Sequence, residues 1–260
     1  MDTIFVKNIY VTAVIGLDCW HREKEQPALV TIRVPKNVEK AGKSDSIADT
    51  LDYRPIYKTV TALQTGKAYR SLPDFAKEIC NRVGQLTETV SLEVTVLLPK
   101  AVRQADGVQV EMRMQSTKGF GPSQIMYSEI YVVKGLRMEC VLGVGEHERK
   151  EKQPVLLDLE LRGPPANFDH RDYQFWLGTT LHKVNWFCIH EWLISTNGEQ
   201  KFEPISYLTI ERFATEIAKY LIVMQNWAEV SVSACKPSVF GSADGPGVEI
   251  LRANDHEWEA

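Results

Sequence analysis

An α+β fold, made as two tandem copies of one ββααββ unit, is what this 260-residue sequence predicts. Three observations carry the prediction. The chain repeats itself at offsets that only increase, each copy begins and ends with strand-like alternation, and each copy holds two helical faces in its middle. In the first repeat, Val6-Lys7, Val14, Gly16, Arg22, Gln26-Pro27 and Leu29 match Val133-Lys134, Val141, Gly143, Arg149, Gln153-Pro154 and Leu156 at an offset of 127. The offset becomes 133 where Leu51-Asp52-Tyr53 meets Val184-Asn185-Trp186, and 138 from Phe75-Ala76 on Phe213-Ala214 to Asp106-Gly107 on Asp244-Gly245. Two insertions in the second copy account for both steps, and a period this long marks a whole domain, not a solenoid unit.

Each copy opens with Val/Ile-rich alternation, at Ile4–Ile15 and Ile130–Leu142, followed by a charged turn and a second strand at Ala28–Val34 and Val155–Leu161. Such a pair reads as an antiparallel hairpin. Arg54–Leu63 then carries Ile56, Val60 and Leu63 on one helical face, and Asp74–Val83 carries Phe75, Ile79 and Val83. Their expected counterparts are Phe187–Ile194 and Ile210–Val223, with a polar Asn-Gly loop at Ser195–Pro204 between them. Closing strands are expected at Ser91–Leu98 and Val108–Met114, then at Glu229–Cys235 and Gly247–Leu251. The expected division is 1–114 and 128–252, with a Gly/Ser/Pro linker at 115–127 and a tail at 253–260. A four-stranded sheet with helices on one face leaves two open edges, and closure against other copies is one remedy.

Composition narrows the function classes. A net charge of −4 and a pI near 5.9, with no Lys/Arg cluster, argue against a nucleic-acid partner. No apolar run reaches membrane-spanning length, and the start MDTIFVKNIYV reads as a strand, not a signal peptide. Five cysteines without a C-x-x-C pair fit reduced thiols, so a cytoplasmic protein is expected. The six histidines show no HxH or HExxH spacing, so no metal site is expected. The glycine-rich stretch 238–247 precedes a strand and is read as a loop.

Chemistry can be sought where the copies differ. At three aligned places the second copy carries Glu148, Glu211 and Lys236, and the first carries His21, Pro73 and Leu98. Each alone is ordinary: Glu148 lies in a charge run, Glu211 in a first helical turn where a carboxylate suits the dipole, and Lys236 at a strand end. Their joint loss from the sister copy is not what unlinked surface residues do.

The G-x-x-x-x-E-x-x-x-x-Q turn, an L-D-Y entering a helix, a Glu beginning the second helix and a K-P ending a strand resemble dihydroneopterin aldolase, a lyase of the tunnelling-fold superfamily. The likeness covers 2–113 and 129–252, and the tandem arrangement resembles the front end of fungal multifunctional folate-synthesis proteins. It implies a pterin substrate, held by Glu211 with Ile210, Leu51 and Asp52 nearby, and Lys236 as general acid/base. Glu148 would position the hydroxylated tail or a water. It also implies a functional tyrosine, which the first copy keeps as Tyr53. Trp186 stands at that place in the second copy, and Tyr173 reaches it only through a deletion and a larger insertion. Tyr53 with Glu148, Glu211 and Lys236 would complete one composite pocket between domains. A homo-oligomer closed into a barrel is implied, with no organic cofactor and with pterin pyrophosphokinase and dihydropteroate synthase as fused or associated partners. The alternative is a non-catalytic oligomerisation unit of such an assembly.

Overall fold

The structure is a computed structural model that describes residues 2–64, 67–116, 125–172, 175–176, 180, 190–194, 200–204, 206–237, 239–240 and 242–255. Two compact units are present. Among the described residues, the first comprises 2–101, 107–130 and 170–172, and the second comprises Val102–Asp106, Tyr131–Asp169 and those from 175 onward. Each unit therefore takes in a short segment from the other repeat's stretch of sequence.

In the first unit, β1 (Thr3–Ile15) and β2 (Glu25–Pro35) form the expected hairpin. A short helix α1 (Glu39–Ser44), a 3-10 turn at Ile47–Asp49, α2 (Tyr53–Thr61) and a further 3-10 turn at Ala62–Gln64 follow. The two-residue strand β3 (Ala68–Tyr69) lies parallel to the end of β1 and leads into α3 (Leu72–Thr87). Antiparallel β4 (Ser91–Leu98) and β5 (Gly107–Ser116) complete a sheet in the order β5-β4-β2-β1-β3. Alternation places Val11, Val30, Ile32, Val94, Val96 and Met112 on the face that α2 and α3 cover with Ile56, Val60, Phe75, Ile79 and Val83, all buried. Each such large side chain contributes roughly 1.5–3 kcal/mol by leaving water.

The second unit repeats the plan with β6 (Ile125–Leu142), β7 (Gln153–Arg162), β10 (Ser206–Tyr207), α4 (Ile210–Lys219), β11 (Glu229–Cys235) and β12 (Gly247–Ala253). Its sheet order is β12-β11-β7-β6, with β10 parallel to the end of β6. Phe213, Ala214, Ile217 and Leu221 are buried, as are Val155, Leu159, Val230 and Val232. Trp227, fully buried, meets Tyr131, Phe168 and Trp176 edge-on at centroid distances of 5.6, 5.0 and 5.8 Å.

The repeat is preserved down to single backbone groups. Asn8 and Gly135 both take left-handed φ, at 53° and 60°, and each donates its N–H to a side-chain oxygen of the partner strand, of Thr31 and of Asp158. Glu88 and Asn226 share left-handed φ after their helices. Ser71 caps α3 and Thr209 caps α4 through the same side-chain bond, worth about 1 kcal/mol each. Gly16 N–H donates to Tyr69 C=O and Gly143 N–H to Tyr207 C=O, both at 2.9 Å.

Three expectations need correction. Residues 190–194, expected to end a helix, are strand β8 (His190–Ile194), paired antiparallel with β9 (Gln200–Pro204) inside the expected loop. An Asn-Gly pair between two short β-prone runs is a hairpin signal, and it outweighs the helical spacing. His190 is accordingly not on a helix. The expected linker is shorter at both ends, because β5 extends through Ser116 and β6 begins at Ile125. The helix from Ile210 ends at Lys219 and continues as a single π turn over Tyr220–Met224. The start of the expected helix at Phe187, and with it Trp186, lies outside the described residues, as does Tyr173. Among the described residues no helix is long and apolar enough to cross a membrane.

Candidate functional site

Lys236 follows directly after β11, and Glu148 lies in the turn between β6 and β7. The fold brings these two together: Lys236 Nζ donates to Glu148 Oε1 at 2.6 Å and to the Leu142 carbonyl at 3.1 Å. An ammonium has three hydrogens, so one is left for a water or a ligand. The other carboxylate oxygen of Glu148 accepts the Gly145 N–H at 3.0 Å. Gln153, the last residue of the recognised turn pattern, donates its side-chain amide to the Leu142 and Glu148 carbonyls and so ties both turn ends. The Lys236 side chain is only 12 % exposed, yet it faces a cleft of about 370 Å³ lined also by His147, Glu151, Lys152 and Val239.

Two glycines make this geometry possible. Gly143 has φ +151°, and a β-carbon there would lie 2.3 Å from the Glu148 carboxyl carbon. Gly245 has φ +130°, and a β-carbon there would sit 2.0 Å from the Lys236 carbonyl oxygen. Gly143→Ala is expected to push Glu148 off Lys236 and to destabilise the chain by about 1–3 kcal/mol. Thermal unfolding together with ligand affinity would register both effects. Neither glycine's part was derivable from spacing, although Gly143 stood in the turn pattern.

The Lys236 hydrogen bond, followed by that from the Gly145 N–H, holds the Glu148 carboxyl below the usual carboxylate range. The folded value is thus lower than the unfolded one near 4.3. The stabilisation from this pairing is complete above that unfolded value and is lost as pH falls through the lowered folded one. Replacing Lys236 with Met should move the Glu148 titration upward, readable by NMR of the carboxyl carbon.

Glu211 sits in the first turn of α4, exposed, and has no hydrogen-bond or ionic partner among the described residues. It is not among the residues lining the cleft around Lys236. Ile210, the first residue of α4, is half-buried. Tyr53 opens α2 and is 59 % exposed. Asp52 has a structural task there: it caps α2 through the Arg54 N–H and forms a two-point ion pair with the Arg54 guanidinium. Leu51 precedes it, half-buried.

The aligned places in the first unit are chemically different. Leu98, at the position of Lys236, is buried, and Pro73, at that of Glu211, belongs to the apolar start of α3. His21, at the position of Glu148, has left-handed φ (59°) and places Nδ1 2.5 Å from Asp172 Oδ2.

Two α+β units, one bearing a shielded lysine–carboxylate pair, define the class of protein. The whole chain matches the fold of a urate oxidase from Bacillus sp. TB-90, with a TM-score of 0.65 over 97 % of this chain and 99 % of that one. At 9 % identity this likeness concerns fold alone. The chain matches the family model FolB: Dihydroneopterin aldolase over residues 4–113. It is 26 % identical to the folic acid synthesis protein fol1 of Schizosaccharomyces pombe over 259 residues, covering 98 % of this chain and 31 % of that protein. It is also 28 % identical to the dihydroneopterin aldolase of Escherichia coli K12 over 110 residues, 42 % of this chain and 90 % of that one. The chain spans about a third of the length of the fungal relatives it matches.

Proposed function

We propose that the chain is a 7,8-dihydroneopterin aldolase of tetrahydrofolate synthesis, with its chemistry in the second unit. The observation that carries the reading is the Lys236–Glu148 pair lining a cleft, absent from the sister unit, in a chain whose residues 4–113 match the dihydroneopterin aldolase model. The substrate is cleaved between the first and second carbons of its side chain. The second-carbon hydroxyl loses its proton, the carbon–carbon bond breaks, and its electron pair passes into the C=N bond of the dihydropterin ring. Glycolaldehyde leaves. The enamine carbon then takes a proton, giving 6-hydroxymethyl-7,8-dihydropterin. The ring is its own electron sink, so Lys236 acts as proton carrier, directly or through a water, and not as an imine-forming amine. Glu148 fixes the ammonium and the tail or that water. Glu211 receives the ring's 2-amino and N–H groups as paired charge-assisted hydrogen bonds. Incubation with 7,8-dihydroneopterin should release glycolaldehyde and hydroxymethyl-dihydropterin in equal amounts; no release from correctly folded protein would refute the reading.

Tyr53 belongs to the same pocket in this reading, supplied by a first unit. Its exposure at the head of α2 supports this. Tyr53→Phe is expected to lower kcat at least tenfold while leaving the fold intact, and unchanged turnover would remove Tyr53 from the site. A homo-oligomer closed through sheet edges accompanies the proposal. β12 ends the second unit's sheet, and β1 has beyond β2 only the two-residue β3 beside it, so long edges remain open among the described residues.

A further inference from the structure

The first unit has an open cleft of its own at the end of its sheet, of about 310 Å³, within the size range of small-molecule sites. Two arginines, Arg70 and Arg171, line it against one carboxylate, Glu23, so its walls are net positive. Val14, Leu17 and Ala68 supply an apolar stretch of the same lining. Arg171 belongs to the short segment 170–172, which comes from the second repeat's stretch of sequence and packs into the first unit. Two contacts fix that segment as a wall. The Arg171 carbonyl accepts the Leu17 N–H at 2.8 Å, and the Asp172 carboxylate lies 2.5 Å from His21 Nδ1. A β-carbon on Gly16 would lie 2.6 Å from the Arg171 carbonyl oxygen, so this approach requires glycine. Neither contact engages the Arg171 side chain. Arg70 directly follows β3, is exposed, and its side chain has no hydrogen-bond or ionic partner among the described residues.

The sister unit is different at the aligned places. β3 and β10 pair in the same register, Ala68–Tyr69 on Val14–Ile15 and Ser206–Tyr207 on Val141–Leu142, so Arg70 corresponds to Leu208. At the offset of 127, Glu23 corresponds to Lys150. The first unit thus lacks the Glu, Glu and Lys of the second, yet carries an arginine where the second carries a leucine. We propose that the first unit's cleft is a second ligand site, for a small organic anion. Its carboxylate or phosphate head meets Arg70 and Arg171, and its apolar body lies over Val14, Leu17 and Ala68. A guanidinium presents paired N–H donors that match either head at two points. This site is independent of the aldolase reading, since none of its residues lines the Lys236 cleft.

The test is titration of the full chain with phenyl phosphate, with benzoate and, as a neutral body of like size, with benzyl alcohol, followed by amide NMR. Both anions should shift the Gly16, Leu17 and Arg70 amides saturably, with an affinity that falls as sodium chloride is raised, and benzyl alcohol should not. The tighter of the two anions tells a phosphate ligand from a carboxylate one, and either upholds the site. Arg70→Leu installs the residue that the second unit tolerates, and Arg171→Ala leaves the backbone carbonyl on Leu17 in place. Each should weaken binding roughly tenfold or more, and circular dichroism checks that each is folded. Glu23→Gln should tighten binding. Several results would overturn the proposal: no saturable shift with either anion, shifts confined to the second unit, or an equal response to benzyl alcohol. Affinity unchanged in both arginine variants, or weakened by Glu23→Gln, would overturn it as well.

Discussion

Lys236→Ala is expected to lower turnover of 7,8-dihydroneopterin by roughly 10²–10⁴-fold, the range spanned by a positioned proton carrier. Two of the ammonium's hydrogens are committed to Glu148 and Leu142, which leaves one for the substrate or a water. Without it the departing alkoxide side and the enamine carbon must exchange protons with unpositioned water. The loss should fall on kcat, with KM little changed, because the proposed function gives the hold on the pterin ring to Glu211 and not to Lys236. Folding should survive the change. The first unit carries Leu98 at the same strand end without disrupting the same sheet, so the position does not require a cation for structure. Steady-state kinetics beside circular dichroism would separate the two effects. A variant that is folded and still turns over at the unmodified rate would exclude Lys236 from the chemistry.

Glu211→Gln should act in the opposite manner, raising the Kd for neopterin roughly 10- to 100-fold. A hydrogen bond to a charged group contributes about 1.5–3 kcal/mol, and about 1.4 kcal/mol is a factor of ten. An amide replaces one acceptor oxygen with a donor that faces the ring's own N–H, so one bond is lost and the other is weakened. Glu211→Ala should weaken binding further still. Stability should fall by no more than about 1 kcal/mol in either case, since among the described residues the structural role on view is the favourable charge at the start of α4. Calorimetry on both variants checks the order. Unchanged affinity in Glu211→Ala would displace the ring's anchor to another residue.

The fold was largely legible because the repeat supplied each element twice. Strands Ser91–Leu98 and Glu229–Cys235 follow from alternation alone, and α3 from the spacing of Phe75, Ile79 and Val83. What spacing could not show were elements of two residues. β3 and β10 are too short to have a period, yet their carbonyls at Tyr69 and Tyr207 fix the glycines that begin each turn. The β8–β9 hairpin escapes the spacing argument because a five-residue run such as His190–Ile194 fits either period, and the Asn-Gly pair that favours a hairpin lies outside the run. At the site, the difference between copies singled out Lys236 and Glu148, and the structure brings them to 2.6 Å. It did not reveal that the Leu142 carbonyl and Gly145 N–H hold them there, because backbone groups leave no mark on residue identity. Nor could sequence place 170–172 against Leu17 and His21, a contact made across some 150 residues of chain.

The most direct test of the central claim is the structure of the chain with neopterin bound. The account predicts the ring's 2-amino and N–H groups on the Glu211 carboxylate and the hydroxylated side chain within hydrogen-bond reach of Lys236 and Glu148. A ring seated away from Glu211, or a side chain directed away from Lys236, would contradict it.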